Sequence, residues 1–142
     1  MIISTKGRYA LKIMILLSES SDGEYVPLKD IAGEVNTSLK YLESITSLLS
    51  KHGLVEAASG KGGGYRLLKT ADKYSVGEIL RSVEKTIEPV TCIEGGTPVC
   101  NNAELCSALP IWRGLSEVIN NYLDSITLEE AAKCKGNGDN NE

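Results

Sequence analysis

Hydrophobic residues recur at helical spacing in the first fifty positions of the chain and predict three helices. The first is expected to run from about Ser4 to Ser18. Pro27 fits the first position of a short second helix, where its missing amide hydrogen does no harm. Ser38 can cap a third helix that runs to about His52. A short polar turn joins the second and third helices, which predicts a helix-turn-helix whose later helix enters the major groove of DNA.

Two short runs with strand character, residues 54–58 and 65–68, follow the third helix. The turn between them, Ser59–Gly64, has four glycines in six residues, so its backbone can turn tightly and approach another surface closely. Because this basic hairpin follows a helix-turn-helix, we interpret it as a wing that lies against DNA. A plain hairpin with a loose turn is the alternative.

Three further helices are predicted beyond the wing. A fourth begins at the capping box Ser75-x-x-Glu78, in which each side chain is expected to satisfy the backbone N–H of the other residue. Pro110 opens a long helix, and Thr127-x-x-Glu130 opens a short last one. The long helix carries one apolar stripe, formed by Ile111, Trp112, Leu115, Val118, Ile119, Tyr122 and Leu123.

This long helix lies beyond an otherwise complete small domain. It could pack back on its own chain or pair with the same helix of a second subunit. We expect a homodimer, because winged helices usually read two half-sites as symmetric dimers.

Charge is unevenly distributed along the chain. The net charge of −4 argues mildly against nucleic-acid binding. Residues 1–69, however, contain nine basic and seven acidic residues, whereas residues 90–142 contain three basic and eight acidic ones. The surface suited to DNA therefore belongs to the N-terminal half.

The sequence gives no sign of a membrane protein, a secreted protein or an enzyme. No stretch approaches the about 20 apolar residues that span a bilayer, and the N-terminus lacks a secretory signal pattern. We therefore expect a cytoplasmic protein without membrane contact. Neither a nucleophile–base pair nor a phosphate-binding loop is recognisable, so we do not expect an enzyme.

Three of the four cysteines stand in one short, loop-like segment, as Cys92, Cys100 and Cys106. In a reducing cytosol, clustered cysteines are more often metal ligands or redox groups than disulfides. Thiolates select zinc, Cu(I) and iron–sulfur clusters. The gaps of seven and five residues are wider than those of structural zinc sites and suit a cluster larger than one ion. Zinc binding, thiol redox chemistry and unconnected free thiols remain open, because a cluster normally takes four protein ligands.

Short motifs follow one another in a fixed order along roughly residues 1–130. They include Ser4-Thr5-Lys6-Gly7-Arg8-Tyr9-Ala10, Tyr41-Leu42-Glu43, Gly62-Gly63-Gly64-Tyr65, the three cysteines and Trp112-Arg113-Gly114-Leu115-Ser116. In these motifs the chain resembles the IscR group of iron–sulfur cluster regulators, within the Rrf2 family of bacterial transcription factors. The resemblance implies a homodimeric winged-helix regulator that binds a double-stranded DNA operator and senses cluster status to control iron–sulfur biogenesis or related genes. Our hypothesis is that it acts as a repressor.

The resemblance also implies a ligand set and a cofactor. The cluster would be held by Cys92, Cys100 and Cys106, with one cluster per subunit. A 2Fe–2S cluster is favoured over 4Fe–4S. Cluster-delivery proteins are possible further partners. The fold implied is mainly α with a small β-wing: residues 1–89 form the winged helix-turn-helix, 90–108 the cluster-binding loop, 109–134 the dimerisation helix with a short C-terminal helix, and 135–142 a disordered tail.

The resemblance implies nine DNA-contacting residues, and we expect Lys6 to be a tenth. Glu43 matches a position that tunes which promoter class the cluster-free form binds, since a carboxylate can accept from cytosine N4–H₂. We expect Lys6, Lys40 and Lys61 to contact phosphates. The full set is Lys6, Ser38, Lys40, Tyr41, Glu43 and Ser44, with the wing residues Ser59, Gly60, Lys61 and Gly62.

Three positions depart from the pattern of the resemblance. Leu109 stands where IscR has a histidine, Arg8 where some relatives have an acid, and Ser59 where the IscR wing has an arginine. The fourth ligand is therefore open among Glu94, Glu104, Ser107, Cys134, a residue of the second subunit and a small exogenous ligand. The rival hypothesis is a metal-independent winged-helix regulator of cysteine or redox metabolism that acts through thiols or a partner enzyme.

Overall fold

The computed structural model describes residues 3–20, 23–94, 97–99 and 106–138. Within these ranges the elements follow the predicted order, with two that were not predicted: a 3-10 turn and a second hairpin. The helices are α1 (Thr5–Glu19), α2 (Leu28–Val35), α3 (Leu39–Lys51), α4 (Val76–Val83), α5 (Leu109–Ser125) and α6 (Leu128–Gly138), with the 3-10 turn at Ala71–Lys73. The strands are β1 (Val55–Ala58), β2 (Gly64–Leu67), β3 (Ile93–Glu94) and β4 (Thr97–Pro98).

Both ends of α3 form where the sequence predicts them. Ser38 is the N-cap, and its hydroxyl oxygen accepts a hydrogen bond from the N–H of Tyr41 at 3.2 Å. At the other end Gly53 has a φ of +74°, which few residues other than glycine adopt. This turn lets the N–H of Leu54 donate to the carbonyl of Leu49 at 2.9 Å. The recognition-type helix therefore has satisfied ends and a fixed length.

Two predicted helix starts need correction. Pro27 precedes α2 as its N-cap and does not occupy its first turn, because its ψ of 145° is extended. Ser75 caps α4, and its hydroxyl oxygen accepts a hydrogen bond from the N–H of Glu78 at 3.0 Å. The Glu78 carboxylate instead lies 3.7 Å from the Lys69 ammonium, so only the Ser75 half of the predicted capping box is formed. Helix α6 extends from Leu128 to Gly138.

Helix α1 lies at the centre of the hydrophobic core. It packs against α2, α3, α4, α6 and β2. Its buried residues meet those of the surrounding helices, and the main cluster is formed by Ala10, Ile13, Met14, Leu17, Ile31, Leu42, Ile45, Leu49, Leu54, Val55, Tyr74, Ile79 and Leu128. The helix-turn-helix and the last helix therefore share one core.

Tyr74 joins the wing to this core. Its ring is 1% exposed, and its hydroxyl donates to the carbonyl of Leu54 at 2.7 Å. The same oxygen accepts from the N–H groups of Leu68 and Lys69 at 3.0 and 3.1 Å. One buried hydroxyl thus satisfies backbone groups on both sides of the wing.

Helix α5 packs on α4 through polar contacts and leaves much of its apolar stripe exposed. Arg81 donates to both carboxylate oxygens of Asp124, at 2.6 and 3.1 Å, and to the side-chain oxygen of Asn120 at 2.6 Å. The exposed fraction is 66% for Ile111, 41% for Leu115, 64% for Val118 and 64% for Tyr122. No helix in the described parts of the chain combines the length and apolarity needed to cross a membrane.

Candidate nucleic-acid interface and cysteine segment

The first turns of α3 present a polar surface. Leu42, Ile45 and Leu49 are completely buried, so they hold the opposite face of the helix against the core. Of the residues predicted to contact DNA here, Tyr41 is half-buried and the others are exposed: Ser38, Lys40, Glu43 and Ser44. In a helix that enters the major groove, the N-terminal residues contact the base edges. The exposed end of α3 has this character.

An aromatic contact holds Tyr41 in place. Its ring meets that of Tyr9 edge to face, with centroids 5.8 Å apart and an interplanar angle of 85°. The ammonium of Lys12 lies 5.3 Å from the centre of the Tyr9 ring. Aromatic pairs and cation–π contacts of this kind each stabilise by about 0.5–1.5 kcal/mol. The recognition helix is therefore tied to α1 through a residue predicted to touch DNA.

The tip of the wing depends on glycine. Gly60 and Gly62 have φ values of +84° and +80°, and both are exposed together with Ser59 and Lys61. The N–H of Gly63 donates to the carbonyl of Gly60 at 3.0 Å, and a Cβ on Gly63 would come closer than 3.0 Å to the carbonyl oxygen of Ala58. The turn is therefore narrow, and Lys61 projects from a surface with little side-chain bulk.

The second strand of the wing is braced by contacts that the sequence analysis did not identify. Val26 and Tyr65 exchange two backbone hydrogen bonds, at 2.8 and 3.0 Å. Arg66 donates to Glu56 across the hairpin at 2.9 Å and to the carbonyl of Gly23 at 2.9 Å, and its guanidinium lies 4.4 Å from the Tyr25 ring centre. Only the opposite charges of Glu56 and Arg66 at equal distances from the turn could have indicated part of this arrangement.

Cys92 and Cys106 border the segment that joins the DNA-binding part of the chain to α5. Cys92 directly precedes β3, and its carbonyl accepts from the N–H of Val99, just after β4, at 2.9 Å. The carbonyl of Cys106 accepts from the N–H of Leu109, the first residue of α5, at 3.3 Å. The hairpin itself was missed, although Gly95-Gly96 between its strands is a turn signal in the sequence.

The cysteines present thiols of the type that soft metal centres take as ligands. Cys92 and Cys106 are free and partly exposed, and Cys134 is free and exposed on α6. Cys100 and Glu104 lie outside the described residues. Within the described ranges, no three His, Cys, Asp or Glu side chains come together as a metal site. Leu109 is buried and supplies no donor where the resemblance has a histidine. The donor chemistry thus fits an iron–sulfur cluster, with two of the three predicted thiols described.

The buried carboxylate of Glu88 connects this segment to α5. It accepts a hydrogen bond from the hydroxyl of Ser116, which is also buried. Both residues line a cavity of about 980 Å³ between the end of α4, the residues that follow it and α5. The path from the wing domain to Cys92 is therefore fastened to α5 before the first cysteine is reached.

These features agree with a sequence profile described as that of an iron-dependent transcriptional regulator, Rrf2, which matches residues 3–133. The chain belongs to the Rrf2 family. This membership confirms the predicted resemblance and the winged helix-turn-helix fold. It also confirms that the protein is a transcriptional regulator and not an enzyme.

Relatives within this family carry two kinds of name. The HTH-type transcriptional regulator IscR of Erwinia tasmaniensis is 40% identical over 128 residues, which cover 90% of this chain and 76% of that protein. The structure of IscR from T. potens is 30% identical, with a TM-score of 0.73 over 95% of this chain and 88% of the other. The structure of CymR, the global cysteine regulator of B. subtilis, is 38% identical, with a TM-score of 0.71 over 94% and 97% of the two chains.

Proposed function

We propose that this Rrf2-family protein is a cytoplasmic, operator-binding repressor whose DNA binding depends on an iron–sulfur cluster held by Cys92, Cys100 and Cys106. The observation that supports this most directly is the position of Cys92 and Cys106. Both are free, partly exposed thiols at the borders of the segment between the DNA-binding part of the chain and α5. The similarity to regulators named IscR supports the choice of cluster.

In the proposed complex, two subunits pair through the exposed apolar stripe of α5. A contiguous apolar surface on a soluble protein commonly marks an interaction site. Pairing would place two α3 helices on successive major-groove faces of a near-palindromic operator. Lys6, Lys40 and Lys61 would contact phosphates, and Ser38, Tyr41, Glu43 and Ser44 would face base edges. The wing residues Ser59, Gly60 and Gly62 would approach the minor groove.

The cluster would supply a redox- and iron-sensitive group, with 2Fe–2S favoured over 4Fe–4S and one cluster per subunit. The chain itself supplies the coupling. Ligation would fix the spacing of Cys92 and Cys106 at the two ends of the segment, and the Glu88–Ser116 contact would carry that constraint to α5. DNA affinity changes only if the ligated and free segments favour different dimer geometries. Iron limitation or oxidants would then change operator affinity or sequence choice.

The test is an operator gel shift on anaerobically purified protein, with its visible absorption spectrum taken before and after iron is chelated. Coloured protein whose DNA affinity changes on removal of iron supports the proposal. Cys92→Ala, Cys100→Ala or Cys106→Ala should remove the colour and leave the protein folded. Ser125→Ala, at an exposed side chain on α5 outside the segment, is the control. Cys134→Ala tests separately whether the exposed thiol on α6 is the fourth ligand. Wild-type colour in a segment variant would remove that cysteine from the ligand set.

Glu43 offers a separate test of the DNA interface. Its exposed carboxylate near the start of α3 should disfavour sites that lack a donor at the facing base. Glu43→Ala should therefore broaden the set of sequences that the cluster-free protein binds, measured by selection from random duplexes. Glu129→Ala on α6 is the charge-matched control. Unchanged selectivity in Glu43→Ala would refute the proposed role.

A second function is favoured by the similarity to the global cysteine regulator CymR. In this alternative the partly exposed thiols of Cys92 and Cys106 act directly in regulation of cysteine or redox metabolism, with or without a partner enzyme. Protein that stays colourless after iron–sulfide reconstitution, but whose DNA affinity changes when its thiols are oxidised, would support this alternative over the cluster.

A further inference from the structure

An acidic side chain at the end of α4 contacts the N-terminus of α1. Glu84 Oε1 accepts a hydrogen bond from the backbone N–H of Ser4 at 3.1 Å and another from the Ser4 hydroxyl. Ser4 is the N-cap of α1, and its Oγ accepts from the N–H of Gly7 at 3.2 Å. A carboxylate at this end of a helix also interacts favourably with the helix dipole. One acid thus holds the first turn of α1 through its cap.

Gly7 allows the carboxylate to come this close. A Cβ on Gly7 would lie less than 3.0 Å from Glu84 Oε1, a separation that real Cβ atoms essentially never show. Any side chain at position 7 would therefore push the carboxylate away. Glycine is a poorer helix former than alanine, so helix formation alone gives no reason for a glycine here. The close approach of Glu84 gives one.

Apolar contacts support the same junction from both sides. Ile87 is buried in a small cluster with Val76 and Leu80, and Ile3 packs against that cluster. Ile3 directly precedes Ser4 in the sequence, and Ile87 lies three residues after Glu84. The first turn of α1 is therefore fixed relative to the end of α4 by hydrogen bonds and by hydrophobic packing.

We infer that Glu84 is a positioning residue for DNA binding, which holds the first turn of α1 so that Lys6 meets a DNA phosphate. The inference rests on the phosphate contact proposed for Lys6. Among the described residues, no acid forms an ion pair with Lys6. Glu84 also lies eight residues before Cys92, so the contact joins the turn that carries Lys6 to the start of the path towards the cysteines.

A double-substitution cycle on the full chain, held in one cluster or thiol state, tests the inference. The probe is a duplex selected by the wild-type protein from a random pool, and binding is measured by fluorescence anisotropy over a range of salt concentrations. Log affinity falls as log salt rises, and Lys6→Ala should lower the steepness of this slope by about 0.9 for each phosphate that the side chain no longer neutralises. Gly7→Ala should lower it equally, and Lys6→Ala should then have no further effect.

Gly33→Ala is the matched control, since a Cβ at that helical position in α2 meets no atom within 4 Å. In the Gly33→Ala protein the salt dependence of DNA affinity should stay at the wild-type value. Adding Lys6→Ala to this variant should have the same effect as in the wild-type protein. If Gly7→Ala keeps the wild-type slope, or if its effect and that of Lys6→Ala simply add, the inference is overturned while the proposed regulation by the cysteines still stands.

Variants of Glu84 give a second route that does not depend on how well Gly7→Ala folds. Removing an acid from a DNA-binding protein ordinarily strengthens its attraction to DNA. Glu84→Ala should instead weaken binding several-fold and lower the salt slope, whereas Glu84→Gln keeps an oxygen acceptor for Ser4 and should retain most of the slope. Unchanged or tighter binding by Glu84→Ala would refute the positioning role.

If Lys6→Ala leaves the slope unchanged in the wild-type background, both the phosphate contact and this inference fail. The cysteine-dependent regulation is judged separately, by whether operator affinity differs between protein states.

Discussion

The two hairpins of this protein are held in very different ways. The wing pairs four residues on each strand, from Val55↔Leu67 to Ala58↔Gly64, and Val26 adds two more hydrogen bonds to Tyr65 in β2. The hairpin beside Cys92 pairs only two residues on each strand. Short isolated hairpins are marginally stable on their own. The fold therefore holds the wing in one geometry without a ligand. The hairpin beside Cys92 is weakly paired, which suits our proposal that a ligand sets the geometry of its segment.

We expect the largest loss of stability from a substitution at Gly64, where the wing meets Val26. Gly64 has a φ of +143°, and a Cβ there would lie closer than 3.0 Å to the carbonyl oxygen of Val26. Gly64→Ala should lower the free energy of unfolding by about 3–5 kcal/mol, from backbone strain and overpacking together. Gly62→Ala, with φ +80° and open space around the new Cβ, should cost about 1 kcal/mol from strain alone. Urea unfolding measures both, and equal losses would show that the contact between Gly64 and Val26 is not rigidly held.

The hydroxyl of Tyr74 provides a second test of how firmly the wing is held. Tyr74→Phe removes the donor to Leu54 and the acceptor for two backbone N–H groups, all close to a buried ring. The free energy of unfolding should fall by about 2–3 kcal/mol, because buried backbone groups lose their partner. Tyr25→Phe, at a half-buried ring stacked by Arg66, should stay within about 0.5 kcal/mol of wild type. A Tyr74→Phe protein as stable as the control would contradict the account of the wing base.

A smaller effect is expected where the cysteine segment is anchored to α5. Ser116→Ala removes a buried hydroxyl that donates to the Glu88 carboxylate. The free energy of unfolding should fall by about 1–2 kcal/mol, since the hydrogen bond involves a charged group. Ser125→Ala, at an exposed hydroxyl in the last turn of α5, should change stability by less than about 0.5 kcal/mol. Thermal unfolding of both variants provides the comparison.

The smallest change in stability is expected at Cys92. In metal-free protein, Cys92→Ala should alter the free energy of unfolding by no more than about 0.5 kcal/mol, because the thiol is partly exposed beside a two-residue hairpin. A loss as large as that in Tyr74→Phe would show that the cysteine hairpin is held by the fold as firmly as the wing, and the contrast between the two hairpins would disappear.

Local signals account for most of the fold that could be predicted. The ends of α3 depend on Ser38 and Gly53, whose effects lie within one helical turn, and the sequence displays both directly. The contacts that brace the DNA-binding part are of another kind. Ser4 and Glu84 are 80 positions apart, and α2, α3 and β1 lie between Val26 and Tyr65 in the sequence. No periodicity or cap pattern marks such pairs, because they arise only when distant elements pack together.

The candidate site was predictable to a similar degree. Exposure of Lys40, Glu43 and Lys61 follows from the polar face of α3 and from the glycine turn. The Tyr9–Tyr41 ring pair and the Glu88–Ser116 bond could not be read from spacing, since each joins residues on different elements.

The exposed stripe of α5 has a consequence for how a cell would adjust the response. Where two subunits must pair before they occupy an operator, occupancy at low abundance rises with the square of the subunit concentration. Halving the amount of regulator would then reduce occupancy by about fourfold instead of twofold. Changes in synthesis or turnover of the protein would then change operator occupancy more than proportionally. A DNA titration steeper than first order at high dilution would reveal this dependence.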